Sequence, residues 1–402
     1  MDLKVEIPSA FSGVVELPAS KSITARALIV NALAGGNAML RNVARCDDTN
    51  AMLAALASRD LIINVGAAGT AMRFLTAFFA SCEGRTVVLD GTGRMRERPV
   101  GPLVDALRQM GAEIDYLGNE GFPPLKITGR RLNGGNLAMR GDVSSQFASA
   151  LLMVAPLAGG LRLTLEGEIV SRPYIDMTLG VMRHYCIDSH WTGNTIEVPS
   201  GQYIPAPLTI EGDWSAASYW FAVQALLPQS AVTLKPLLRH SLQGDSAIID
   251  LMAPLGVKAT WHGNELALGC DTVALPRHYC RDMASTPDLV PTLAVALCLL
   301  RVPFSLTGVR NLRIKESDRL EGLAVELAKL GYRIKAGDDT LHYDGNHHEP
   351  QDNVVIDPHE DHRLAMALSL AATRHRGITI KNAQVVTKSY PNFFSHLLKT
   401  DN

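Results

Sequence analysis

Residues 103–115, LVDALRQMGAEID, join an amphipathic helix to a short strand through a glycine, and this form recurs along the chain. Residues 248–260 (IIDLMAPLGVKAT) and 323–335 (LAVELAKLGYRIK) repeat it. Residues 181–189 have a related form, with Cys186 where the other copies have glycine. In the three full copies the apolar residues return on one helical face, and the glycine suits the left-handed position that follows a helix.

The spacing of these copies indicates repeated globular units. The positions that follow the helices, 111, 186, 256 and 331, are 75, 70 and 75 residues apart. This period is longer than the roughly 20–50 residues of common solenoid repeats. Short runs rich in β-branched and other apolar residues predict strands at residues 85–89, 161–165, 231–234, 304–306, 354–356 and 378–380. The fold class is therefore α/β or α+β, with helices packed against several sheets.

Composition excludes several classes of protein. The chain has 402 residues, 47% of them hydrophobic and 19% charged, which excludes a disordered protein and favours two domains. Basic and acidic residues number 38 and 40, so a general nucleic-acid or membrane-surface binder is not indicated. We expect neither a signal peptide nor a membrane span, because the first residues are charged and the apolar runs are interrupted. Cysteines at six scattered positions form no Cys-x-x-Cys pair, which favours a reducing compartment over a disulfide scaffold.

A cation or a hydroxyl recurs at the start of apolar helical stretches. Residues 18–22 (PASKS), 66–70 (GAAGT), 141–146 (GDVSSQ) and 361–363 (DHR) each precede such a stretch. A helix N-terminus exposes unpaired N–H groups and a partial positive charge, so a cation there is unfavourable unless an anion binds between them. One such end is ordinary, since serine and threonine are common N-caps. Four in a chain without basic excess favour a small polyanionic ligand.

Two basic segments point to the same kind of ligand. Residues 94–99 (RMRERP) place three arginines within five residues, and residues 311–319 (NLRIKESDR) interleave cations with carboxylates. Arginine suits bidentate contacts with phosphate and carboxylate, and lysine beside glutamate can transfer protons. Each segment alone could equally be a solvated charged surface. Walker, His-Glu-x-x-His and Gly-x-Ser-x-Gly motifs do not occur, so nucleotide, zinc and serine-hydrolase functions are not indicated.

Together these stretches resemble the 5-enolpyruvylshikimate-3-phosphate synthase family of enolpyruvyl transferases. The matching segments occur in the family's order: LPASKSITARAL, GTAMR, RMRERPVGPLVDALRQMGA, GDVSSQFASALLM, VSRPYIDMTL, DWSAASYW, RIKESDRL, EDHRLAMAL and TKSYPNFF. The resemblance implies two similar domains, each made of three βαβαββ units, with the active site in the cleft between them. It places one domain at residues 20–211 and a discontinuous domain at residues 1–19 and 212–402.

The resemblance also implies a reaction. The enolpyruvyl group is transferred from phosphoenolpyruvate to the 5-hydroxyl of shikimate 3-phosphate, and phosphate is released, by addition and elimination through a tetrahedral intermediate. Both substrates carry a phosphate and a carboxylate, in agreement with the polyanion expected from the helix starts. A cytoplasmic monomer of the shikimate pathway, which serves chorismate and aromatic amino-acid biosynthesis, is implied as well. No cofactor, metal, nucleic-acid or membrane partner is expected.

Candidate site residues follow from the matching motifs. The implied ligands of phosphoenolpyruvate are Lys21, Gly69, Arg98, Gln146, Arg319, Arg363 and Lys388. The implied ligands of shikimate 3-phosphate are Ser22, Arg26, Ser144, Ser145, Gln146, Ser171, Asp288, Asn311 and Lys315. Asp288 would accept the proton of the 5-hydroxyl, although by itself it could be a helix N-cap. Glu316 and Lys21 are the candidates for proton exchange at C3 of phosphoenolpyruvate, with Asp361 and His362 as supports.

Three positions depart from the family pattern, and two alternatives follow from the same motifs. Ala67 stands where asparagine is usual, Phe74 where proline is usual and Ala19 where glycine is usual. These changes bear on the phosphoenolpyruvate pocket and remove no candidate catalytic residue. The sister family, UDP-N-acetylglucosamine enolpyruvyl transferase, typically carries a reactive cysteine in a loop, whereas Cys82 here lies outside any such motif. A non-catalytic anion-binding protein of the same fold is disfavoured because Lys21 and Asp288, among others, are intact.

Overall fold

Helices and strands alternate along the chain in the computed structural model, which describes residues 1–351 and 353–398. The strands are β1 Leu3–Lys4, β2 Ser12–Glu16, β3 Leu40–Arg41, β4 Ile62–Asn64, β5 Thr86–Asp90, β6 Glu113–Tyr116, β7 Leu125–Thr128, β8 Gly135–Arg140, β9 Leu161–Glu166, β10 His190–Thr192, β11 Thr195–Val198, β12 Leu208–Thr209, β13 Ala231–Lys235, β14 Val257–His262, β15 Glu265–Cys270, β16 Tyr279–Asp282, β17 Phe304–Thr307, β18 Tyr332–Ala336, β19 Thr340–His347, β20 Val355–Ile356 and β21 Thr379–Ile380.

The helices are α1 Lys21–Leu33, α2 Asp47–Ala57, α3 Gly69–Ser81, α4 Gly101–Gln109, α5 Ser145–Val154, α6 Arg172–His184, α7 Trp214–Leu226, α8 Ile248–Met252, α9 Val290–Leu299, α10 Arg319–Lys329, α11 His362–Ser369 and α12 Phe393–Leu398. Short 3₁₀ turns occur at Gly93–Glu97, Gly244–Ala247, Ala253–Leu255, Pro287–Leu289, Arg310–Ile314, Leu370–Thr373 and Ala383–Lys388. Among the described residues, no helix is both long enough and apolar enough to cross a membrane.

The chain divides into two compact units. Unit 1 consists of Met1–Ala19 and Glu211–Asn402, and unit 2 consists of Ser20–Ile210. Unit 2 is thus inserted into the sequence of unit 1, directly after β2 and its following loop.

One sheet topology occurs twice in each unit. The strand orders are β4-β5-β7-β6 and β8-β9-β11-β10 in unit 2, and β2-β13-β15-β14 and β16-β17-β19-β18 in unit 1. The first two strands of each sheet are parallel, and the other neighbouring pairs are antiparallel. A helix precedes the second strand and another follows it, so each sheet and its helices form a βαβαββ unit. The expected fold class is therefore confirmed.

The third sheet of each unit is smaller. Unit 1 contains the sheet β1-β21-β20 and unit 2 contains the pair β12-β3. Every strand in these two sheets has two residues, which allows few ladder hydrogen bonds. The three expected βαβαββ units of each half are thus present as two complete units and one reduced set.

The positions that follow the repeat helices have a left-handed backbone. The φ angles are 93° at Gly111, 90° at Gly256 and 89° at Gly331, and Cys186 has a φ of 66°. L-residues rarely adopt this region, which is why glycine is favoured there. The fourth copy of the repeat is confirmed, and Cys186 adopts the glycine conformation in spite of its side chain.

The central helices of both units are buried on all sides. In α9 every residue is buried, and in α7 Ser215 alone is partly exposed. In unit 2, α3 and α5 are in contact, and the buried residues of both helices include alanine, leucine and phenylalanine. A helix that is apolar all round belongs in a core, so its chemistry is confined to its ends. Polar residues at the starts of these helices, together with residues at the starts of α1, α10 and α11, form the sites described next.

Candidate functional site

A cluster of charged side chains surrounds Arg319 at the start of α10. This unit 1 cluster consists of Asp245, Asp288, Lys315, Glu316, Arg319, Asp361, Arg363 and Lys388. Its central residue is positioned by a helix cap, because Asp318 Oδ1 accepts hydrogen bonds from the backbone N–H groups of Leu320 and Glu321, both at 3.1 Å. The cap defines where α10 begins and so directs Arg319 into unit 1.

The guanidinium of Arg319 binds three carboxylates. Its Nε donates to Asp361 Oδ2 at 2.7 Å, its Nη1 to Asp288 Oδ1 at 3.0 Å and its Nη2 to Glu316 Oε2 at 2.8 Å. The residue is only 1% exposed, and a buried charge requires such partners. Burial alone would lower the pKa of Arg319, but Asp361, Glu316 and Asp288 raise it above the ordinary value. Arg319 is therefore a permanent cation that holds the three carboxylates together.

Asp288 lies between cations. Its Oδ2 accepts from Arg363 Nη2 at 2.8 Å, and its Oδ1 lies 3.0 Å from Arg319 Nη1 and 3.8 Å from Lys315 Nζ. Burial alone would raise the pKa of Asp288, but Arg363, Lys315 and Arg319 hold it well below the ordinary value. The structure therefore brings the predicted base together with three predicted substrate-binding cations, and the base is ionised.

Asp361, and not Asp288, caps a helix. Asp361 Oδ1 accepts from the backbone N–H of Arg363 at 2.9 Å at the start of α11. Asp288 lies inside the 3₁₀ turn Pro287–Leu289, whose N-cap is Thr286, and α9 begins after that turn. The alternative interpretation of Asp288 as an N-cap is therefore wrong, because its carboxylate is turned towards the arginines.

Glu316 lies between two predicted ligands of phosphoenolpyruvate. Lys388 Nζ is 3.3 Å from Glu316 Oε1, and Arg319 Nη2 is 2.8 Å from Glu316 Oε2. Lys388 is buried at the end of the 3₁₀ turn Ala383–Lys388. Asn311 lies in the 3₁₀ turn Arg310–Ile314 that leads to this segment. A carboxylate beside an ammonium group is an arrangement that can pass a proton in either direction.

In unit 2 a side-chain hydrogen bond joins the starts of α3 and α5. Gln146 Nε2 donates to Thr70 Oγ1 at 3.0 Å. Ser144 caps α5 by accepting from the backbone N–H of Gln146 at 3.3 Å. Thr70 was not among the predicted site residues, although it is part of the GTAMR motif. The two helix N-termini therefore lie side by side, which concentrates their partial positive charge.

Gly69 lies against two guanidinium groups at the start of α3. A Cβ built on Gly69 would be 2.4 Å from Arg98 Nη1 and 2.8 Å from Arg73 Nη1, closer than real Cβ atoms come. Arg98 is 8% exposed, and its Nε has no hydrogen-bond partner among the described residues. Arg73 donates to the backbone carbonyls of Gly69 at 3.1 Å and Pro99 at 2.9 Å. Two guanidiniums at a helix N-terminus form a site suited to an anion. Sequence reasoning missed Arg73.

Lys21 pairs with a carboxylate that the motifs did not indicate. Its Nζ lies 2.9 Å from Asp48 Oδ2, and both side chains are largely buried. Ser20 caps α1 by accepting from the backbone N–H of Ile23 at 3.4 Å, which places Lys21 in the first turn. Asp48 belongs to α2 and is 27 positions away in the sequence. Nothing local in the sequence connects it with Lys21.

Arg26 is enclosed by unit 2. Its guanidinium donates to Thr178 Oγ1 at 2.7 Å and to the backbone carbonyls of Tyr174 and Ser22, both at 2.9 Å. Burial lowers the pKa of Arg26 to about 10, and the guanidinium carbon lies 5.3 Å from the ring centre of Phe74. Arg26 thus connects α1 with α6, and its predicted role as a ligand of shikimate 3-phosphate stays a prediction.

The other predicted ligands of shikimate 3-phosphate in unit 2 lie at helix starts. Ser22 follows Lys21 in α1, and Ser145 is the first residue of α5. Ser171 precedes α6 in a left-handed conformation, with a φ of 57°, and is buried.

Two further features concern the reactive cysteine of the sister family and a possible metal site. Burial raises the pKa of the Cys82 thiol, and a raised pKa disfavours the thiolate that a reactive cysteine needs. Among the described residues, no group of three or more His, Cys, Asp and Glu side chains is arranged to hold a metal ion.

Sequence comparison relates the chain to one enzyme family. The family model described as "EPSP synthase (3-phosphoshikimate 1-carboxyvinyltransferase)" matches residues 5–58 and 55–397. The chain is 46% identical over 395 residues to the 3-phosphoshikimate 1-carboxyvinyltransferase of Bacteroides fragilis strain YCH46, covering 98% of this chain and 96% of that protein. It is 38% identical over 419 residues to the enzyme of the same name from Cellvibrio japonicus, covering 96% of each.

Solved structures share the fold. The EPSP synthase from Acinetobacter baumannii has a TM-score of 0.75 at 22% identity, covering 99% of this chain and 98% of that chain. The enolpyruvyl transferase NikO from Streptomyces tendae has a TM-score of 0.74 at 18% identity, covering 98% and 96%. At these identities the likeness establishes the fold, while the family follows from the sequence relatives.

Proposed function

The chain belongs to the EPSP synthase family, and on that basis we propose which residues carry out the reaction that it catalyses. That reaction transfers the enolpyruvyl group of phosphoenolpyruvate to the 5-hydroxyl of shikimate 3-phosphate and releases phosphate, in the shikimate pathway. We further propose that units 1 and 2 are the two enolpyruvyl transferase domains and that the protein acts as a cytoplasmic monomer. The observation that supports the site best is the convergence of Asp288, Glu316 and Asp361 on Arg319.

Arg319, Arg363 and Lys388 bind phosphoenolpyruvate. Each is within 3.3 Å of a carboxylate oxygen, so the site is already close to electrically balanced. The phosphate and carboxylate of the substrate compete with Asp288 and Glu316 for these cations. Binding therefore exchanges one set of ion pairs for another, which costs less than bringing an anion to a site without cations.

Asp288 accepts the proton of the 5-hydroxyl. Before substrate binds, Arg363 and Lys315 stabilise the carboxylate of Asp288. Its pKa is therefore lowered, and Asp288 is a weak base. When substrate anions share these cations, their effect on Asp288 weakens and its pKa rises towards the range in which a general base is effective. The same ion pairs that bind the substrate thus tune the base.

Glu316 exchanges the proton at C3. In the addition step, C3 takes a proton while the 5-oxygen bonds to C2, which gives the tetrahedral intermediate. In the elimination step, C3 returns a proton while the bond between C2 and the phosphate oxygen breaks. Lys388, 3.3 Å from Glu316, supplies a route for this proton. Lys21, held by Asp48, is the second candidate for the same exchange.

The residues of unit 2 hold the anionic groups of the substrates. Gly69, Arg98 and Gln146 bind phosphoenolpyruvate, since they combine a buried guanidinium with two helix N-termini. The proposed ligands of shikimate 3-phosphate in unit 2 are Ser22, Arg26, Ser144, Ser145, Gln146 and Ser171, and those in unit 1 are Asp288, Asn311 and Lys315.

Phosphate release from phosphoenolpyruvate tests the reaction. The assay compares shikimate 3-phosphate with UDP-N-acetylglucosamine as the acceptor. We expect release with shikimate 3-phosphate and none with the sugar nucleotide. The opposite result would assign the chain to the sister reaction, and release with neither acceptor would favour a binding protein.

The expected independence from metals stays a prediction. We expect full activity after exhaustive treatment with EDTA, because cations of the chain are available to meet the substrate charges. A loss of activity that a divalent ion restores would contradict it.

A further inference from the structure

A further carboxylate lies behind the pair formed by Arg363 and Asp288. Asp245, in the 3₁₀ turn Gly244–Ala247, is 4% exposed, and its Oδ2 accepts a hydrogen bond from Ser215 Oγ. The same hydroxyl oxygen is 3.3 Å from Arg363 Nη2. That nitrogen also donates to Asp288 Oδ2 at 2.8 Å. A continuous line of hydrogen bonds therefore runs from Asp245 through Ser215 and Arg363 to Asp288.

We propose that Asp245 is a positioning residue for phosphoenolpyruvate binding: its carboxylate orients the Ser215 hydroxyl, which in turn holds the Arg363 guanidinium. The proposal rests on Arg363 being a ligand of phosphoenolpyruvate, as proposed for the site. Asp245 itself touches neither the substrate nor the reacting atoms in this scheme.

The Ser215 hydroxyl donates to Asp245 and accepts from Arg363. Ser215 has one O–H donor, and an ionised carboxylate can only accept. The hydroxyl hydrogen is therefore committed to Asp245, and the lone pairs of its oxygen face the N–H of Arg363. A protonated Asp245 would instead donate to the hydroxyl oxygen and release the hydroxyl hydrogen, which weakens Ser215 as an acceptor for Arg363.

The placement of Ser215 agrees with this role. It is the one residue of α7 that is not fully buried, while the following turns of the helix are packed in the core of unit 1. Asp213 caps α7 by accepting from the backbone N–H of Ala216 at 2.9 Å, so the position of Ser215 is fixed by the helix start.

Asp245 changes charge near neutral pH. Burial raises its pKa to about 6, Asp288 and Asp213 act in the same direction, and Arg363 and the Ser215 hydroxyl oppose them. Arg363 comes from α11, Ser215 and the N-cap residue Asp213 from the start of α7, and Asp288 from the turn Pro287–Leu289. Above this pH the carboxylate orients Ser215, and below it that orientation is lost.

The experiment measures KM for phosphoenolpyruvate and kcat between pH 5 and pH 8. Asp245→Asn resembles the protonated acid, so at pH 8 we expect its KM to be about tenfold above that of the wild type, with kcat changed less than about threefold. At pH 5 the wild-type Asp245 is mostly protonated, so the ratio of the two KM values should fall towards one. KM for shikimate 3-phosphate should stay within about twofold.

Second variants keep the test independent of folding defects. Ser215→Ala should raise KM for phosphoenolpyruvate to a similar extent, and the double variant should be no worse than either single one, because both act on one line of hydrogen bonds. Ser218→Ala is the matched control. It removes a buried hydroxyl of the same helix, which donates to the backbone carbonyl of Ser215 at 2.7 Å and lies 3.1 Å from Thr292 Oγ1. Because it keeps the Ser215 hydroxyl itself, it should leave KM within about twofold.

The variant Arg363→Ala tests whether Arg363 is a ligand of phosphoenolpyruvate separately from whether Asp245 positions it. If it leaves KM for phosphoenolpyruvate unchanged, Arg363 is not a ligand and the proposed site is wrong. If Arg363→Ala raises KM but Asp245→Asn does not, the positioning role alone is overturned. A rise with Asp245→Asn that is the same at every pH, or an equal rise with Ser218→Ala, would also overturn it.

Discussion

The site around Arg319 in unit 1 and the site around Gly69 in unit 2 hold their candidate anion-binding cations in different ways. In unit 1, Arg319 lies among three carboxylates at 2.7 to 3.0 Å. In unit 2, Arg98 and Arg73 lie at the start of α3 against Gly69, where Arg73 donates to backbone carbonyls. Anion binding at Arg319 is therefore an exchange of partners, whereas anion binding at Arg98 and Arg73 adds a charge beside groups of positive potential. A lost cation in unit 1 should affect folding and catalysis together, and one in unit 2 should affect mainly binding.

The largest effect is expected for a carboxylate of the unit 1 cluster. Glu316→Gln should lower kcat by about 10²–10⁴-fold, because a general acid–base role contributes about that much. Steady-state kinetics with both substrates measure it. Glu321→Gln, at an exposed position of α10, is the matched control and should stay within about twofold. A Glu316→Gln variant within about threefold of wild type would exclude the role.

The next effect concerns stability and compares the two units directly. Arg319→Ala should lower the free energy of unfolding by about 3–5 kcal/mol, because it leaves the buried carboxylate of Asp361 without its ion pair and removes one of the cations that balance Asp288. Arg98→Ala strands no carboxylate in the described contacts and should cost about 1–2 kcal/mol. Urea unfolding of both variants measures the difference. Equal losses would show that the two sites are not held differently.

A methyl group at Gly69 tests the unit 2 site without removing a charge. Gly69→Ala should raise KM for phosphoenolpyruvate by roughly 10²-fold, because the new Cβ displaces the guanidiniums of Arg98 and Arg73. Thermal stability should change little, since the ends of long side chains can move. Gly118→Ala is the control, as its Cβ would be 3.6 Å from the nearest atom, Pro124 Cδ. An unchanged KM would mean that phosphoenolpyruvate does not bind against Gly69.

The smallest effect is expected at the position that follows the repeat helix, where the backbone is left-handed in both units. Cys186 of unit 2 has a φ of 66° where Gly256 and Gly331 of unit 1 have 90° and 89°. Cys186→Gly should raise the stability of the protein by up to about 1 kcal/mol, because glycine adopts this region without steric cost. Cys186→Ala keeps the Cβ and should give no gain. Equal melting temperatures for the two variants would mean that the backbone there is not strained.

Local patterns predicted the secondary structure closely. Strands expected at residues 85–89 and 304–306 occur at Thr86–Asp90 and Phe304–Thr307. The helix starts at Ser20 and Ser144 are also as expected from the N-cap residues. Such features depend on neighbours in the sequence, so they could be predicted without knowing the packing.

Ion-pair partners could not be predicted in this way. Arg363 could have been expected to pair with Asp361, two positions away, yet its side chain binds Asp288, 75 positions away. Asp48 and Asp245 were not candidates at all, because their partners lie in other elements. The pKa of Asp245 depends on the same distant groups and on burial, neither of which is visible in a local motif.

The sequence by itself determined the family, the repeated helix–glycine–strand units and the polar starts of the apolar helices. These are properties of residue order and of backbone preference over a few positions. Only the tertiary structure decided which carboxylate balances which cation, and that Ser215 connects Asp245 with Arg363. Electrostatic interactions depend on separations in space and on exclusion of water, and both are set when distant segments pack together.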